Sequence, residues 1–156
     1  MSSPAELRVR RMSAADLERV LKIAESLPQA PQWPASAYIA AMDAEHRPRR
    51  IALVAELASE QVVGFVVANL VPPEAELETI AVAIEGQRNG VGGLLLEALT
   101  QELRNEQVSS LVLEVRESNV PALGFYRAHG FEQTGQRPRY YTDPEEDAVL
   151  LELRLP

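Results

Sequence analysis

The sequence predicts a one-domain α/β chain whose elements run β-α-α-β-β-β-α-β-α-β-β. Three observations carry this. Period-two and period-3.6 apolar patterns alternate along the chain. Two apolar runs, Ile51 to Leu57 and Val62 to Val71, are separated only by Ala58-Ser59-Glu60-Gln61, which reads as a hairpin. A strand-like run, Leu77 to Val82, leads into a glycine-rich turn and then a long apolar-periodic helix from Leu94 to Leu103.

In order, Leu7 to Arg11 alternates as a short strand. Ser13 is the N-cap of a helix, with Asp16 in the capping-box position and Leu17, Val20, Leu21 and Ala24 on one face. Leu27 to Pro34 is a proline-rich connection holding the only tryptophan, Trp33, and a second helix is expected from about Ser36 to Ala44. After the hairpin, Glu76 to Ala83 is the next strand and precedes the glycine turn. Ser110 to Arg116 follows as a strand with Leu111, Leu113 and Val115 on one face. Asn119 to His129 is a helix that Gly130 stops. Phe131 to Gly135 and Ala148 to Leu155 form a closing strand pair around Pro138 to Asp147. Residues 1–156 read as a single domain without an internal repeat or linker.

Composition narrows the function classes. The 156 residues, 46% hydrophobic, suffice for a proper core. No apolar run is long enough to cross a bilayer, and the N-terminus lacks the basic and apolar regions of a secretory signal, so a soluble, cytoplasmic protein with no membrane partner is expected. The absence of cysteine excludes disulfides, thiolate metal sites and a cysteine nucleophile. With only His46 and His129, no metal is expected. Fifteen Lys and Arg against 23 Asp and Glu give a formal charge of −8, which argues against nucleic-acid binding and favours a basic partner. Arg47-Pro48-Arg49-Arg50 is too short to reverse that.

The richest segment is Gln87-Arg88-Asn89-Gly90-Val91-Gly92-Gly93. Glycines allow close backbone approach, and the first turn of the following helix points N–H groups and a positive dipole end at an anion. The Gln-x-x-Gly-x-Gly spacing is neither the dinucleotide fingerprint nor a P-loop, which needs a Lys-Ser/Thr pair after the glycines. On its own the segment suits a diphosphate or a plain tight turn.

Two further blocks add to it: Leu113-Glu114-Val115-Arg116-Glu117-Ser118-Asn119 with Ala122-Leu123-Gly124-Phe125-Tyr126 and His129-Gly130-Phe131, and Arg137-Pro138-Arg139-Tyr140-Tyr141 ending in Glu146-Asp147-Ala148-Val149-Leu150. Three blocks in this order resemble the GNAT superfamily of acetyl-CoA-dependent N-acetyltransferases over nearly the whole chain. Within it they look like the RimI-type branch, which acetylates the N-terminal alanine of a ribosomal protein. The chain departs from that pattern at Asn89 and Gly93, where basic residues are common, and at Phe125, where an aliphatic residue is usual.

The resemblance implies a central mixed, mostly antiparallel twisted sheet of about seven strands flanked by about four helices. It implies acetyl-CoA as the acetyl donor and direct attack by a primary amine. That amine belongs to a protein or peptide N-terminus such as a basic ribosomal protein, or to a small molecule such as a polyamine or aminoglycoside. A non-catalytic acetyl-CoA sensor is the reading from another class. Matched to the family pattern, Glu114 is the general base and Tyr126 the general acid. Ile80, Ala81 and Val82 pair with the pantetheine arm. Arg88, Asn89, Gly90, Val91, Gly92 and Gly93 hold the pyrophosphate, and Asn119 contacts the coenzyme. Trp33, Tyr140 and Tyr141 shape the acceptor pocket.

From the residues alone these positions have other readings. Glu114 suits the outer face of an ordinary strand, Tyr126 a packing residue and Asn119 an N-cap. Trp33 suits a core anchor, and the Tyr-Tyr pair exposed hairpin rings. A monomer and a homodimer both fit.

Overall fold

A computed structural model describes residues 6–87 and 89–156. Seven strands form one sheet in the order β1-β2-β3-β4-β5-β7-β6. They are β1 (Leu7–Arg11), β2 (Arg50–Leu57), β3 (Val62–Val71), β4 (Glu74–Val82), β5 (Ser110–Arg116), β6 (Glu132–Tyr141) and β7 (Glu146–Arg154). Four helices flank it: α1 (Leu17–Glu25), α2 (Ala35–Met42), α3 (Val91–Asn105) and α4 (Val120–Ala128). Every neighbouring pair is antiparallel except β4 and β5, which run parallel. The predicted element order holds throughout.

Two apolar layers sandwich the sheet. On one face Leu95, Leu99 and Leu103 of α3 meet Ile51, Val66, Leu77, Leu111 and Leu151 from five strands. A buried leucine of this kind stabilises the fold by roughly 1.5–3 kcal/mol of transfer free energy. On the other face Val20 and Ile23 of α1 and Tyr38 of α2 cover Val54, Phe65 and Val67. Gly64 of β3 lets α3 settle onto the sheet: a Cβ there would lie 3.0 Å from the Ala81 carbonyl oxygen and 3.0 Å from Val91 Cγ1.

Boundaries moved where local chemistry prevailed over periodicity. The first helix begins as a 3₁₀ turn over Ala14–Asp16, and the Ser13 N–H donates to the Asp16 carboxylate at 2.8 Å, as the capping-box spacing predicts. Arg10 grips the same carboxylate at 2.8 and 2.9 Å and reaches Glu56 at 3.0 Å. α2 ends at Met42 rather than Ala44, because Asp43 turns extended and its Oδ1 accepts the Glu45 N–H at 2.9 Å. β6 runs on through Pro138 to Tyr141, where a loop is predicted. It is the outermost strand, and a missing N–H is tolerated on an edge.

Two register features of β4 shape the site. β4 pairs with β5 only from Glu74 to Glu76, against Ser110 to Val112, after which the strands part. On its other side the register with β3 slips between Val67 and Ala68, which pair with Thr79 and Leu77, so Glu78 is bulged out. The bulge reverses the alternation. Ala75 and Leu77 face α3, whereas beyond Glu78 it is Thr79 and Ala81 that turn away from α3.

Candidate active site

The parting of β4 and β5 opens a slot through the sheet, a cleft of about 780 Å³. Its side walls are Leu77 to Val82 of β4 and Leu113 to Arg116 of β5. On the α3/α4 face it is completed by Gly92, Asn119, Phe125 and Tyr126. On the opposite face the Leu27–Pro31 turn and Tyr141 complete it. Because Leu113 and Val115 belong to the α3-side core, Glu114 and Arg116 emerge on the α1/α2 side. The cleft therefore joins two different surfaces of the sheet.

On the α3 side, Gly90 is the N-cap of the helix with φ 75°, ψ 13°, a left-handed conformation that favours glycine. The first intrahelical donor here is the Leu94 N–H, 3.0 Å from the Gly90 carbonyl, so the N–H groups of Val91, Gly92 and Gly93 belong to the uncapped first turn of a fifteen-residue helix. The Gln87 side chain donates to the Val82 carbonyl at 3.1 Å and ties the loop back to the end of β4. Asn89 is exposed beside the loop, and Arg88 lies outside the described residues.

The glycines also pack. A Cβ on Gly92 would stand 3.1 Å from the Phe125 ring, and one on Gly93 would stand 2.9 Å from His129 Nε2. They let α3 and α4 converge, which explains why small residues stand at 92 and 93 whatever the loop binds. Gly93 faces a separate small cavity beside His129 rather than the main cleft, and the Val91 side chain is buried in the core. The His129 ring lies 2.8 Å through Nδ1 from the Phe125 carbonyl and packs tilted against the Phe125 ring, 4.5 Å between centroids.

Asn119 caps α4 through its Oδ1, which accepts the Ala122 N–H at 3.3 Å, as the N-cap reading expects, and it also lines the cleft. Tyr126 is 7% exposed, and burial pushes its phenol well above the ordinary tyrosine range. Ile80, Ala81 and Val82 all contribute to the wall.

On the α1/α2 side, the Glu114 carboxylate lies 3.5 Å from Arg137. Tyr140 sits against Glu114, whose accepting oxygen and negative charge raise the phenol pKa. Burial raises Tyr141, with Glu114 adding to the effect. The Tyr141 ring lines the cleft; Tyr140, 47% exposed, stands outside it under the Arg137 guanidinium, 5.4 Å from the ring centroid. Three carboxylates gather where the strands part: Glu76, Glu78 and Glu114. Burial and then the charges of Glu78 and Glu114 raise Glu76. Arg50 holds Glu78 at 2.7 and 3.3 Å.

The structure does not bring Trp33 to the cleft. Its ring packs on Tyr38 at 5.2 Å between centroids, and the wall comes from the turn just before it. Sequence reasoning assigned nothing to Leu27–Pro31 itself, to Phe125 over Gly92, or to Arg116. The proline cluster marked the turn, and Arg116 stood unused inside a quoted block. Among the described residues no cluster of three His, Cys, Asp or Glu could hold a metal, and no helix is long and apolar enough to cross a membrane.

A split between a fourth and a fifth strand, with a glycine-opened helix beneath it, invites comparison with known proteins. The profile of the acetyltransferase (GNAT) family matches residues 17–131. The chain belongs to that family. An Escherichia coli K12 relative, [ribosomal protein bS18]-alanine N-acetyltransferase, is 42% identical over 92 residues, 58% of this chain and 62% of the relative. The matched stretch thus spans under two thirds of that relative's length. A Bacillus subtilis (strain 168) relative, named as a candidate enzyme of the same kind, is 30% identical over 143 residues, 92% of each chain. The crystal structure of the E. coli ribosomal-protein-S18-alanine N-acetyltransferase superposes with a TM-score of 0.80 at 28% identity, covering 96% of this chain and 94% of that one. The GNAT family uses acetyl-CoA, and the sheet flanked by four helices found here is the fold of these neighbours.

Proposed function

We propose that this GNAT protein transfers the acetyl group of acetyl-CoA to a primary amine, preferentially the α-amine of a peptide or protein N-terminus. The observation that carries this reading is the slot through the sheet. One mouth lies beside the uncapped first turn of α3, a surface suited to a diphosphate; the other opens beside Glu114, Tyr141 and a cluster of carboxylates suited to a cation. The unpaired edge of β4 from Leu77 to Val82 offers backbone groups to an amide-bearing arm laid along it, as an added strand would use them.

In this reading Asn89, Gly90, Val91, Gly92 and Gly93 present main-chain donors to the pyrophosphate, Arg88 joins them on the family pattern alone, and Asn119 and Phe125 flank the arm. The amine nitrogen attacks the thioester carbonyl carbon, the C–N bond forms, and the C–S bond breaks with its electron pair leaving on sulfur. Glu114 takes the ammonium proton, directly or through one water. Tyr126 donates to the departing thiolate. The burial that holds its phenol in the protonated form also desolvates the thiolate, so both groups favour a shared proton. An α-amine has a pKa near ~8 against ~10.4 for lysine, so a single carboxylate relay suits it better.

The E. coli relative's name specifies an alanine of ribosomal protein bS18 as the acetyl acceptor. The formal charge of −8 and the Glu76–Glu78–Glu114 cluster favour a basic acceptor of that sort here. The test pairs a basic peptide with a free N-terminal alanine against the same peptide N-terminally blocked and containing lysine, with acetyl-CoA as donor. The free N-terminus is expected to react at least about tenfold faster, and added salt to slow it by screening the charges. Equal acetylation of both peptides refutes the α-amine preference. Reaction of a polyamine with neither peptide moves the acceptor to small molecules.

A further inference from the structure

Arg116 is the most heavily engaged side chain at the cleft, and the acetyl-transfer chemistry makes no use of it. Its Nη1 donates to the Pro144 carbonyl and to Glu146 Oε1, both at 3.1 Å, and its Nη2 donates to the Thr142 carbonyl at 3.2 Å. The guanidinium also lies over the Tyr141 ring, 4.4 Å from its centroid. The other oxygen of Glu146 accepts the Ser118 N–H at 3.0 Å, which fastens the same turn to the segment between β5 and α4.

The sheet itself does little to fix Tyr141. β6 is the edge strand, it pairs only with β7, and nearly all its residues are exposed. Its register breaks between Arg137 and Tyr141, so Tyr141 rejoins the ladder only through Glu146, at the tip of the hairpin. A ring at the end of an interrupted edge strand would swing freely without another tether. Arg116 supplies one, since a planar guanidinium can bind two carbonyls, a carboxylate and an aromatic face together.

We infer that Arg116 is a positioning residue that straps the β6–β7 hairpin across the cleft and sets the Tyr141 ring against the incoming amine, so that it governs acceptor binding through Tyr141. This inference rests on the acetyl-transfer reading and adds to it the device that fixes the acceptor wall. A residue serving stability alone would lower the melting temperature and affect donor and acceptor alike. A strap acting through one ring affects the acceptor selectively.

The test is a double-mutant cycle in the full chain: Arg116→Gln, Tyr141→Ala and the pair. It reads KM for the amine, kcat, and acetyl-CoA affinity by calorimetry. Each single substitution is expected to raise the acceptor KM about tenfold with acetyl-CoA affinity within about twofold, and the pair to raise it about tenfold in total rather than a hundredfold, since both remove the same contact. Arg116→Lys keeps the charge towards Glu146 without the fork and should fall between wild type and Arg116→Gln.

Effects that multiply to about a hundredfold in the pair overturn the inference. So does a loss of acetyl-CoA affinity in step with the acceptor. If Arg116→Gln does not fold, the cycle is run with Arg116→Lys under the same criterion. A wild-type chain that binds acetyl-CoA but acetylates no amine overturns the acetyl-transfer reading, and this inference with it. Wild-type turnover with an unchanged acceptor KM in Arg116→Gln overturns this inference alone.

Discussion

The same substitution, glycine to alanine, should have opposite signs at two positions of this chain. At Gly64 the new methyl would sit 3.0 Å from the Ala81 carbonyl oxygen, 3.0 Å from Val91 Cγ1 and 3.2 Å from Leu95 Cδ1. The first of these is backbone on the neighbouring strand, and the other two belong to a helix already seated on the sheet, so relief requires α3 to lift. Overpacking of this kind costs about 1–3 kcal/mol, and the reduced freedom of the unfolded chain returns about 0.4–1 kcal/mol. The net is a loss of about 1–2 kcal/mol, or roughly 2–8 °C in melting temperature for a chain of this size. At Gly124, exposed and inside α4, a Cβ meets nothing within 4 Å. There the helix propensity of alanine should stabilise the protein by roughly 0.8–1 kcal/mol. Thermal denaturation of both variants decides the matter. Because Val91 opens the helix beside the proposed diphosphate site, Gly64→Ala should also weaken acetyl-CoA binding, whereas Gly124→Ala should not. A shift of the same sign in both variants would refute the packing argument.

Tyr126→Phe should lower kcat by about 10²-fold, the scale of one lost proton donor, with acetyl-CoA affinity little changed. Burial raises this phenol above the ordinary tyrosine range, so it stays protonated throughout the assay range, and any alkaline fall in the wild-type rate below about pH 10 should persist unchanged in the variant. Disappearance of that limb in Tyr126→Phe would contradict the assignment. Acid stability provides another check. The hydrogen bonds from Arg10 hold Asp16 below its ordinary range, so its contribution is complete above the unfolded carboxylate value near ~3.9 and fades as pH falls through the lower folded value. Asp16→Asn should therefore be less stable than wild type by about 1–2 kcal/mol at pH 7, the scale of a charge-assisted bond discounted for the partly exposed Arg10, with the gap closing below about pH 4. A gap constant across denaturation curves from pH 7 to pH 3 rules the linkage out.

Much of this was legible because it is local. The Ser13–Asp16 capping pair and the Asn119 cap are each decided by a few neighbouring residues, and their chemistry is written in the residue types. Position in the site depended instead on long-range pairing. Trp33 and Tyr141 were both named as pocket aromatics, with a core anchor as the other reading of Trp33; Trp33 turns onto Tyr38, while Tyr141 is drawn to Arg116, twenty-five positions earlier in the chain. Gly92 and Gly93 show how one residue type can suit two demands. They were read as room for an anion, and the structure shows them as room for Phe125 and His129. Nothing in the loop alone distinguishes these uses, since the packing partners lie in another helix.

The bulge at Glu78 left a trace that simple alternation hides. Apolar residues on the α3 side of β4 fall at Ala75 and Leu77, then at Ile80 and Val82, so the phase changes from odd to even across one residue. A strand of unbroken phase would send Ile80 and Val82 to the face that α1 and α2 cover, and would present Thr79 and Ala81 to α3. By inserting one residue, the chain keeps branched side chains on the α3 face of the slot and seats Glu78 beside Arg50 rather than in either core. The same segment gives up its β5 partner beyond Glu76, leaving main-chain groups that a soluble fold normally pairs. Bulge and split act together: the first sets which side chains line the slot, and the second leaves its edge unpaired. An edge kept open inside a sheet is costly unless water or a ligand satisfies it. That cost is the physical reason to look for a ligand with amide groups of its own, as the pantetheine arm of the proposed donor has.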